Sequence, residues 1–374
     1  MSAQEHTAPG DRKLSGYPEA ERLDLVDEIH GHQIADPYRW LEDLDDPRTQ
    51  DWCAREDELF GEWQARWLGD EGSGRLRRRL AALAGAGSVS VPVWRGERQF
   101  FTRRRPGQEH EVLITAGPDG AERVLIDPGA IDPAGSTTLD AWFPSQEGGL
   151  VAYLLSAGGT EQSLLRVLDV ITGEVVDGPV DRTSHSVVAW LPGGAAFCYQ
   201  RLPAPDRVPA GERRFHRRVY LHRLGTDPDQ DVLVFGEGLP RTAFFVPDVS
   251  RDGRWLQIMA DWGPVRTDIY LADLLADAAT GGVGVPRFTA VQQGVDAISK
   301  PSFGRDGRIY LLTDRAAPNR RLCAVDHSDL DDEHWHTVLP EDPEAVLEDF
   351  AILDGAQLER PLEFFARQLG LRAG

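Results

Sequence analysis

Phe303-Gly304-Arg305-Asp306-Gly307-Arg308 is a phrase that this sequence repeats. Val249-Ser250-Arg251-Asp252-Gly253-Arg254 is a close copy, and Ala141-Trp142-Phe143-Pro144-Ser145-Gln146-Glu147-Gly148-Gly149 is a looser one. In each copy an apolar residue leads into a glycine-containing turn, and an aliphatic or aromatic strand follows the turn. The phrase therefore marks the first strand and first turn of a recurring β unit.

The recurrence has a long period. Five positions open comparable phrases 48, 48, 59 and 54 residues apart: Trp94, Trp142, Trp190, Val249 and Phe303. Four short strands in each unit of about 40–50 residues is the spacing of propeller blades, whereas a β-sandwich has strands without this longer period. The sequence predicts a mainly β protein, an incomplete or five-bladed β-propeller.

The ends of the chain have a different pattern. From Glu19 to about Leu83, tryptophan, leucine and phenylalanine recur at intervals of three, four and seven residues, which predicts helix. We divide the chain into an N-terminal helical segment (residues 1–84), the propeller (85–357) and a short C-terminal helix (358–374).

Several ordered motifs resemble the prolyl oligopeptidases, a family of serine peptidases that cut short peptides after proline. They are Tyr17-Pro18, Val26-Asp27-Glu28-Ile29-His30-Gly31, Asp36-Pro37-Tyr38-Arg39-Trp40-Leu41-Glu42-Asp43, Val219-Tyr220-Leu221-His222-Arg223-Leu224-Gly225-Thr226-Asp227 and Thr313-Asp314-Arg315-Ala316-Ala317-Pro318-Asn319-Arg320-Arg321-Leu322. The resemblance implies an N-terminal segment, a seven-bladed propeller and an α/β-hydrolase domain that carries Ser, Asp and His. Here five blades are counted, and the residues from Leu358 to Leu371 resemble the last helix of that hydrolase domain or form an ordinary amphipathic helix.

The sequence carries no nucleophile elbow. An α/β-hydrolase presents its serine on a G-x-S-x-G turn, and no serine here has a glycine two positions before it. Gly72-Ser73-Gly74 and Gly135-Ser136 lie in polar stretches without a preceding buried strand. We therefore assign no catalytic residue, and we expect a truncated or internally deleted relative that is unable to hydrolyse peptides by itself.

Other chemistry is weakly indicated. The pairs His30/His32 and His334/His336 lack further ligands at typical spacing, and Asp227, Asp229 and Asp231 imitate a calcium loop whose glycine and bidentate acid are replaced, so we expect a solvated turn. The glycine-rich run at 281–284 lacks the context of a phosphate loop. We expect the arginine runs at 103–105, 213–214 and 217–218 to lie on exposed hairpin faces; the alternative is that they contact an anion. No cofactor and no metal site is assigned.

Composition limits the partners. The 374 residues have a net charge of −21, which disfavours nucleic acid and anionic membranes. Three widely spaced cysteines build no disulfide framework, and the first residues show no secretory pattern, so we expect a cytoplasmic protein.

Three functions remain open. The propeller could bind short proline-containing peptides, it could work with a hydrolase-domain protein supplied in trans as a prolyl endopeptidase, or it could be an unrelated five-bladed propeller that binds or cleaves sugars. Aromatic side chains of the helical segment and unpaired blade edges further predict self-association.

Overall fold

The computed structural model describes residues 16–68, 71–275 and 286–352. The chain divides into two compact units, of which the first is Met1–Ala86 and the second begins at Gly87. The C-terminal helix expected at 358–374 and the glycine-rich run at 281–284 lie outside the described residues.

The N-terminal unit is less helical than the sequence predicted. Strands β1 (Val26–Ile29) and β2 (His32–Ala35) form an antiparallel hairpin within the stretch that we expected to be helical. Its two turn residues, His30 and Gly31, have φ angles of 53° and 79°, as in the tight turns that match the twist of a hairpin. The helical periodicity between residues 19 and 83 therefore comes mainly from the residues that follow the hairpin.

Two helices complete this unit, α1 (Pro47–Leu68) and α2 (Glu71–Ala84). Helix α1 begins where the sequence supplies a start signal, because Asp46 accepts a hydrogen bond from the backbone N–H of Arg48 at 2.8 Å and proline occupies the first helical position. Gly85 follows α2 directly, and its N–H bonds the carbonyl of Ala81 at 2.8 Å.

The second unit contains five antiparallel sheets among the described residues, and we call them blades 1 to 5 in chain order. Blade 1 holds β3 (Ser88–Val89), β4 (Val93–Arg95), β5 (Arg98–Arg104), β6 (Val112–Ala116) and β7 (Glu122–Ile126), and the short helix α3 (Pro128–Ile131) follows it. Blade 2 holds β8 (Thr137–Pro144), β9 (Leu150–Ala157), β10 (Leu164–Asp169) and β11 (Val175–Val180). Blade 3 holds β12 (Val188–Trp190), β13 (Ala196–Arg201), β14 (Arg218–Arg223) and β15 (Val232–Phe235).

Blade 4 holds β16 (Phe244–Val249), β17 (Trp255–Asp261), β18 (Thr267–Asp273) and β19 (Thr289–Gln292). Blade 5 holds β20 (Ser299–Phe303), β21 (Arg308–Thr313), β22 (Arg321–Asp326) and β23 (His336–Leu339). Strands neighbour each other in chain order within blades 2 to 5, whereas in blade 1 both β3 and β4 pair with β5. Pro92, which has no N–H to give to a ladder, lies in the gap between β3 and β4.

Four of the five repeated positions fall on the first strands of blades 2 to 5, and Trp94 falls on β4 of blade 1, which confirms the predicted propeller. In blade 4 the turn after that strand is held by Ser250, whose hydroxyl donates to Asp252 at 2.6 Å and accepts from the N–H of Trp255 at 2.9 Å. Gly253 has a φ of 71°, and a Cβ there would lie 2.2 Å from the ring of Pro192 in blade 3. The repeated glycine is therefore needed for the turn and for the close approach of two blades.

The core lies between successive blades. Phe100 and Leu113 of blade 1 pack with Val151 and Tyr153 of blade 2, and Leu165 of blade 2 begins the same arrangement toward blade 3. Two further clusters join blade 3 to blade 4 and blade 4 to blade 5. The middle strands of blades 2 to 4 are mostly buried or half-buried because each of these blades lies between two neighbouring sheets. In the described ranges, no strand ladder joins blade 5 to blade 1.

Candidate functional site

Strand β4 of blade 1 and the first strands of blades 2 to 4 surround a cavity of about 280 Å³, which we call the channel cavity. It is lined at the ends of these strands by Arg95, Trp142, Gln146, Trp190 and Asp248, among others. These residues come from four separate sheets, so the cavity exists only because the blades converge on one axis. The turn residue Gln146 of blade 2 reaches blade 4 across it and donates to the carbonyl of Ser250 at 3.4 Å.

Two ionisable side chains of the cavity wall, Asp248 and Arg95, have shifted pKa values. Asp248 is exposed toward the cavity, but the protein atoms around its carboxyl replace much of the bulk water and raise its pKa to about 6, against the smaller opposing effects of the Val249 N–H and of the Arg95 charge. Asp248 still borders the open cavity. Burial likewise lowers the pKa of Arg95, partly offset by the charge of Asp248. The cavity wall therefore combines a carboxyl group of raised pKa with a guanidinium group.

A buried polar network joins blades 2 and 3. His222 on β14 places Nδ1 2.9 Å from Asp231 and Nε2 3.2 Å from Asp177, and the three side chains are 0%, 3% and 7% exposed. Tyr199 donates its hydroxyl to Asp231 at 2.7 Å, and the N–H of Gly225 donates to Asp177 at 2.6 Å. Burial opposes a charge on the ring, but the two carboxylates outweigh it and raise the pKa of His222. The expectation of a solvated turn is thus wrong for Asp231, since its side chain turns inward onto His222.

The serines that imitate an elbow lie in other contexts. Ser136 occupies a turn, where its hydroxyl donates to Asp132 at 2.6 Å, and Ser73 lies within helix α2. No His, Cys, Asp or Glu cluster in the described part of the chain has the geometry of a metal site. His334 instead makes an exposed pair with Asp329 at 2.9 Å.

The arginine runs differ from one another. Arg103 on β5 pairs with Glu122 at 2.7 Å, as an ordinary face of a blade. Arg213 and Arg214 are exposed on the connection between β13 and β14, whereas Arg217 at the end of that connection is buried. The sequence did not separate these cases, because Arg217 stands in a run of arginines like the exposed ones.

Two tryptophans of the N-terminal segment, Trp40 and Trp52, are at least partly buried. Trp40 is buried and donates to the carbonyl of Glu21 at 2.9 Å, and Trp52 is half-buried. On helix α2, Leu76, Leu80 and Leu83 are 60%, 55% and 55% exposed. Their spacing of four and three residues places them on one face of the helix. Among the described residues, no helix is both long and apolar enough to cross a bilayer.

Asp248 was missed at the sequence level. It interrupts the apolar strand Phe244-Phe245-Val246-Pro247, and a single acid in such a strand is the signal that could have found it. His222 was part of the family resemblance, but its buried partners are 45 and 9 residues away and carry no local signal.

Known proteins match this chain over most of its length. Prolyl endopeptidase from Elizabethkingia meningoseptica is 29% identical over 333 residues, which are 88% of this chain and 45% of the relative. A solved prolyl endopeptidase structure aligns with a TM-score of 0.77 and 31% identity over 91% of this chain and 48% of the other. Prolyl oligopeptidase B from Galerina marginata shares the fold, with a TM-score of 0.71 at 21% identity over 89% of this chain.

The chain spans about half the length of the curated relatives it matches. The family model of the prolyl oligopeptidase N-terminal β-propeller domain matches residues 17–357. That range includes the hairpin, both helices and all five blades described above. The chain therefore belongs to the prolyl oligopeptidase family and comprises its N-terminal propeller part.

Proposed function

We propose that this chain is a peptide-binding propeller that does not hydrolyse peptides by itself. The channel cavity carries the proposal, because it combines an aromatic wall with an acid and a guanidinium group. Trp142 is only half-buried and offers an apolar face that suits a proline ring, and Gln146 offers an amide for a peptide backbone. The sequence between 1 and 374 supplies no serine on an elbow turn to attack a bound peptide.

Two measurements test the two halves of this proposal. Titration of a short proline-containing peptide into the chain should show binding that Trp142→Ala weakens, with Trp335→Ala in blade 5 as a tryptophan control away from the cavity. A fluorophosphonate probe should leave the intact mass unchanged, and a proline-containing chromogenic peptide should stay uncleaved. A stoichiometric adduct on any serine would overturn the non-catalytic half, and equal binding by both tryptophan variants would overturn the assignment to the cavity.

A second candidate is a prolyl endopeptidase whose hydrolase domain comes from another chain. The exposed row of Leu76, Leu80 and Leu83 on α2 favours it, because a contiguous apolar face of this kind suits a protein partner. Co-expression with a hydrolase-domain chain should give a stable complex that cleaves the chromogenic peptide. Leu80→Glu should dissociate that complex, while Arg77→Glu on the same helix changes charge without removing apolar surface.

A further inference from the structure

A second cavity, of about 520 Å³, lies at the other end of blades 2 and 3 from the first. Its walls are three connections: β9 to β10, β11 to β12, and β13 to β14. Because successive strands in a blade are antiparallel, these three connections meet at the end opposite to the turns after β8 and β12. The second cavity is therefore separate from the channel cavity described above.

Four arginines line this cavity against two carboxylates: Arg182, Arg213, Arg214 and Arg217 face Glu161 and Asp181. Both carboxylates already have partners, since Asp181 pairs with Arg182 at 3.0 Å and Glu161 lies 3.5 Å from His185. Arg213 and Arg214 make no ion pair within the described ranges. A chain with a net charge of −21 thus has one cavity whose wall has an excess of positive charge.

Arg217 is the informative member of this set. It is only 9% exposed, and its buried Nε has no hydrogen-bond partner among the described residues. Its Nη1 donates to the carbonyl of Arg214 at 3.0 Å, and its guanidinium carbon lies 4.0 Å from the centre of the Phe244 ring. A guanidinium group that is buried without a carboxylate is costly, and burial lowers its pKa.

The contacts with the Phe244 ring and with the Arg214 carbonyl restrict this guanidinium group, whose N–H donors form a planar fork. A planar carboxylate matches such a fork with two parallel hydrogen bonds. Arg213 and Arg214, which are exposed and line the cavity, supply additional positive charge.

We propose that the cavity between blades 2 and 3 is a carboxylate-binding site in which Arg217 is the fixed donor and Arg214 closes over the bound group. The carboxylate comes either from the C terminus of a short peptide or from an acidic side chain within one. The site does not depend on peptide binding in the channel cavity, so it stands or falls separately from the function proposed above.

Isothermal titration calorimetry on the full chain tests the site with four probes. They are an N-acetyl tripeptide ending in a free proline carboxylate, its C-terminal amide, the same amide with an internal glutamate, and glutarate. The free acid should bind at least about tenfold more tightly than the plain amide, since a hydrogen bond to a charged group contributes roughly 1.5–3 kcal/mol. The internal-glutamate amide distinguishes a side-chain carboxylate from a terminal one.

Arg217→Gln and Arg214→Gln should each remove the preference for the acid. Arg207→Gln is the matched control, because it removes the same charge from the same connection outside the cavity. Arg217→Lys retains charge without the fork and should recover only part of the preference. Circular dichroism and the unfolding midpoint show whether each variant keeps the fold, and Arg214→Gln at an exposed position tests the site even if Arg217→Gln does not fold.

Glutarate contains no peptide bond, so it distinguishes this site from the channel. If glutarate binds in an Arg214-dependent way while no peptide binds in a Trp142-dependent way, the carboxylate site stands and the proposed channel function fails. If neither the free acid nor the internal-glutamate amide binds more tightly than the plain amide, or if Arg207→Gln is as harmful as Arg214→Gln, the site is refuted. Absence of binding by the free acid and by glutarate up to about 10 mM would also refute it.

Discussion

Substitution of His222 tests a buried polar network between blades 2 and 3. His222→Gln removes the cation that lies between Asp231 at 2.9 Å and Asp177 at 3.2 Å, and it leaves both carboxylates in place with side-chain exposures of 3% and 7%. Removing one partner of a buried ion pair costs about 3–5 kcal/mol. Tyr199 and the N–H of Gly225 still donate to the two acids, so we expect the lower end, about 3 kcal/mol.

His334→Gln is a matched control. His334 lies at the same 2.9 Å from its acid, Asp329, but the two side chains are 61% and 51% exposed, and an exposed pair contributes about 0–1 kcal/mol. Urea unfolding followed by tryptophan fluorescence measures both variants. Equal losses of unfolding free energy in the two variants would refute the reasoning, because burial would then not be what gives the His222 network its energy.

The same network predicts the direction of a pH effect. The pKa of His222 is raised above its unfolded value near 6.5, so its stabilisation is complete below about pH 6.5 and is lost as the pH rises through the folded pKa. The stability difference between the wild type and His222→Gln should therefore shrink toward alkaline pH. A difference that grows with pH would contradict the assignment of a protonated ring between two carboxylates.

Three further substitutions test other parts of the structure. Because the pKa of Asp248 is raised to about 6, the wild type should lose stability relative to Asp248→Asn as the pH rises from about 4 to 6, and parallel stability curves over that range would be inconsistent with this. Phe197 is fully buried between Trp190 and Tyr199 at ring distances of 5.0 and 5.6 Å, so Phe197→Ala should lower the unfolding free energy by about 3–5 kcal/mol, and a loss below about 1 kcal/mol would speak against this packing. The exposed leucine row on α2 predicts oligomers in light scattering that Leu80→Gln reduces, and a monomer at all concentrations tested would count against self-association.

The blades could be predicted from sequence because their signal is local. A turn such as the one at Ser250, Asp252 and Gly253 is built by residues within six positions of one another, and a glycine-containing turn follows the repeated position in each blade. The hairpin at residues 26–35 was mistaken for helix because its strands are only four residues long and half of their residues are polar. The short alternation could not compete with the long helical pattern of α1.

The polar sites could not be predicted because their partners are distant in the chain. His222 meets Asp177 across 45 residues, and the channel cavity joins Arg95 to Asp248 from blades 1 and 4. In the sequence Asp231 looks like part of a solvated acidic turn, and only the packing of blade 2 against blade 3 places its carboxylate beside a buried ring. The local residue types predict the turn, whereas the packing of neighbouring blades determines which side chain faces inward.

The net charge of the chain does not predict the charge inside the second cavity, because the two act over different distances. A charge of −21 repels anions at long range, but charges separated by more than about 8 Å are largely screened at physiological salt. Inside the cavity an anion would meet Arg217, which is buried and therefore screened much less. The net charge thus disfavours an extended polyanion, which must contact a large surface, but it does not disfavour a single carboxylate held by a few arginines. The overall acidity and a local carboxylate site are compatible because they act over different distances.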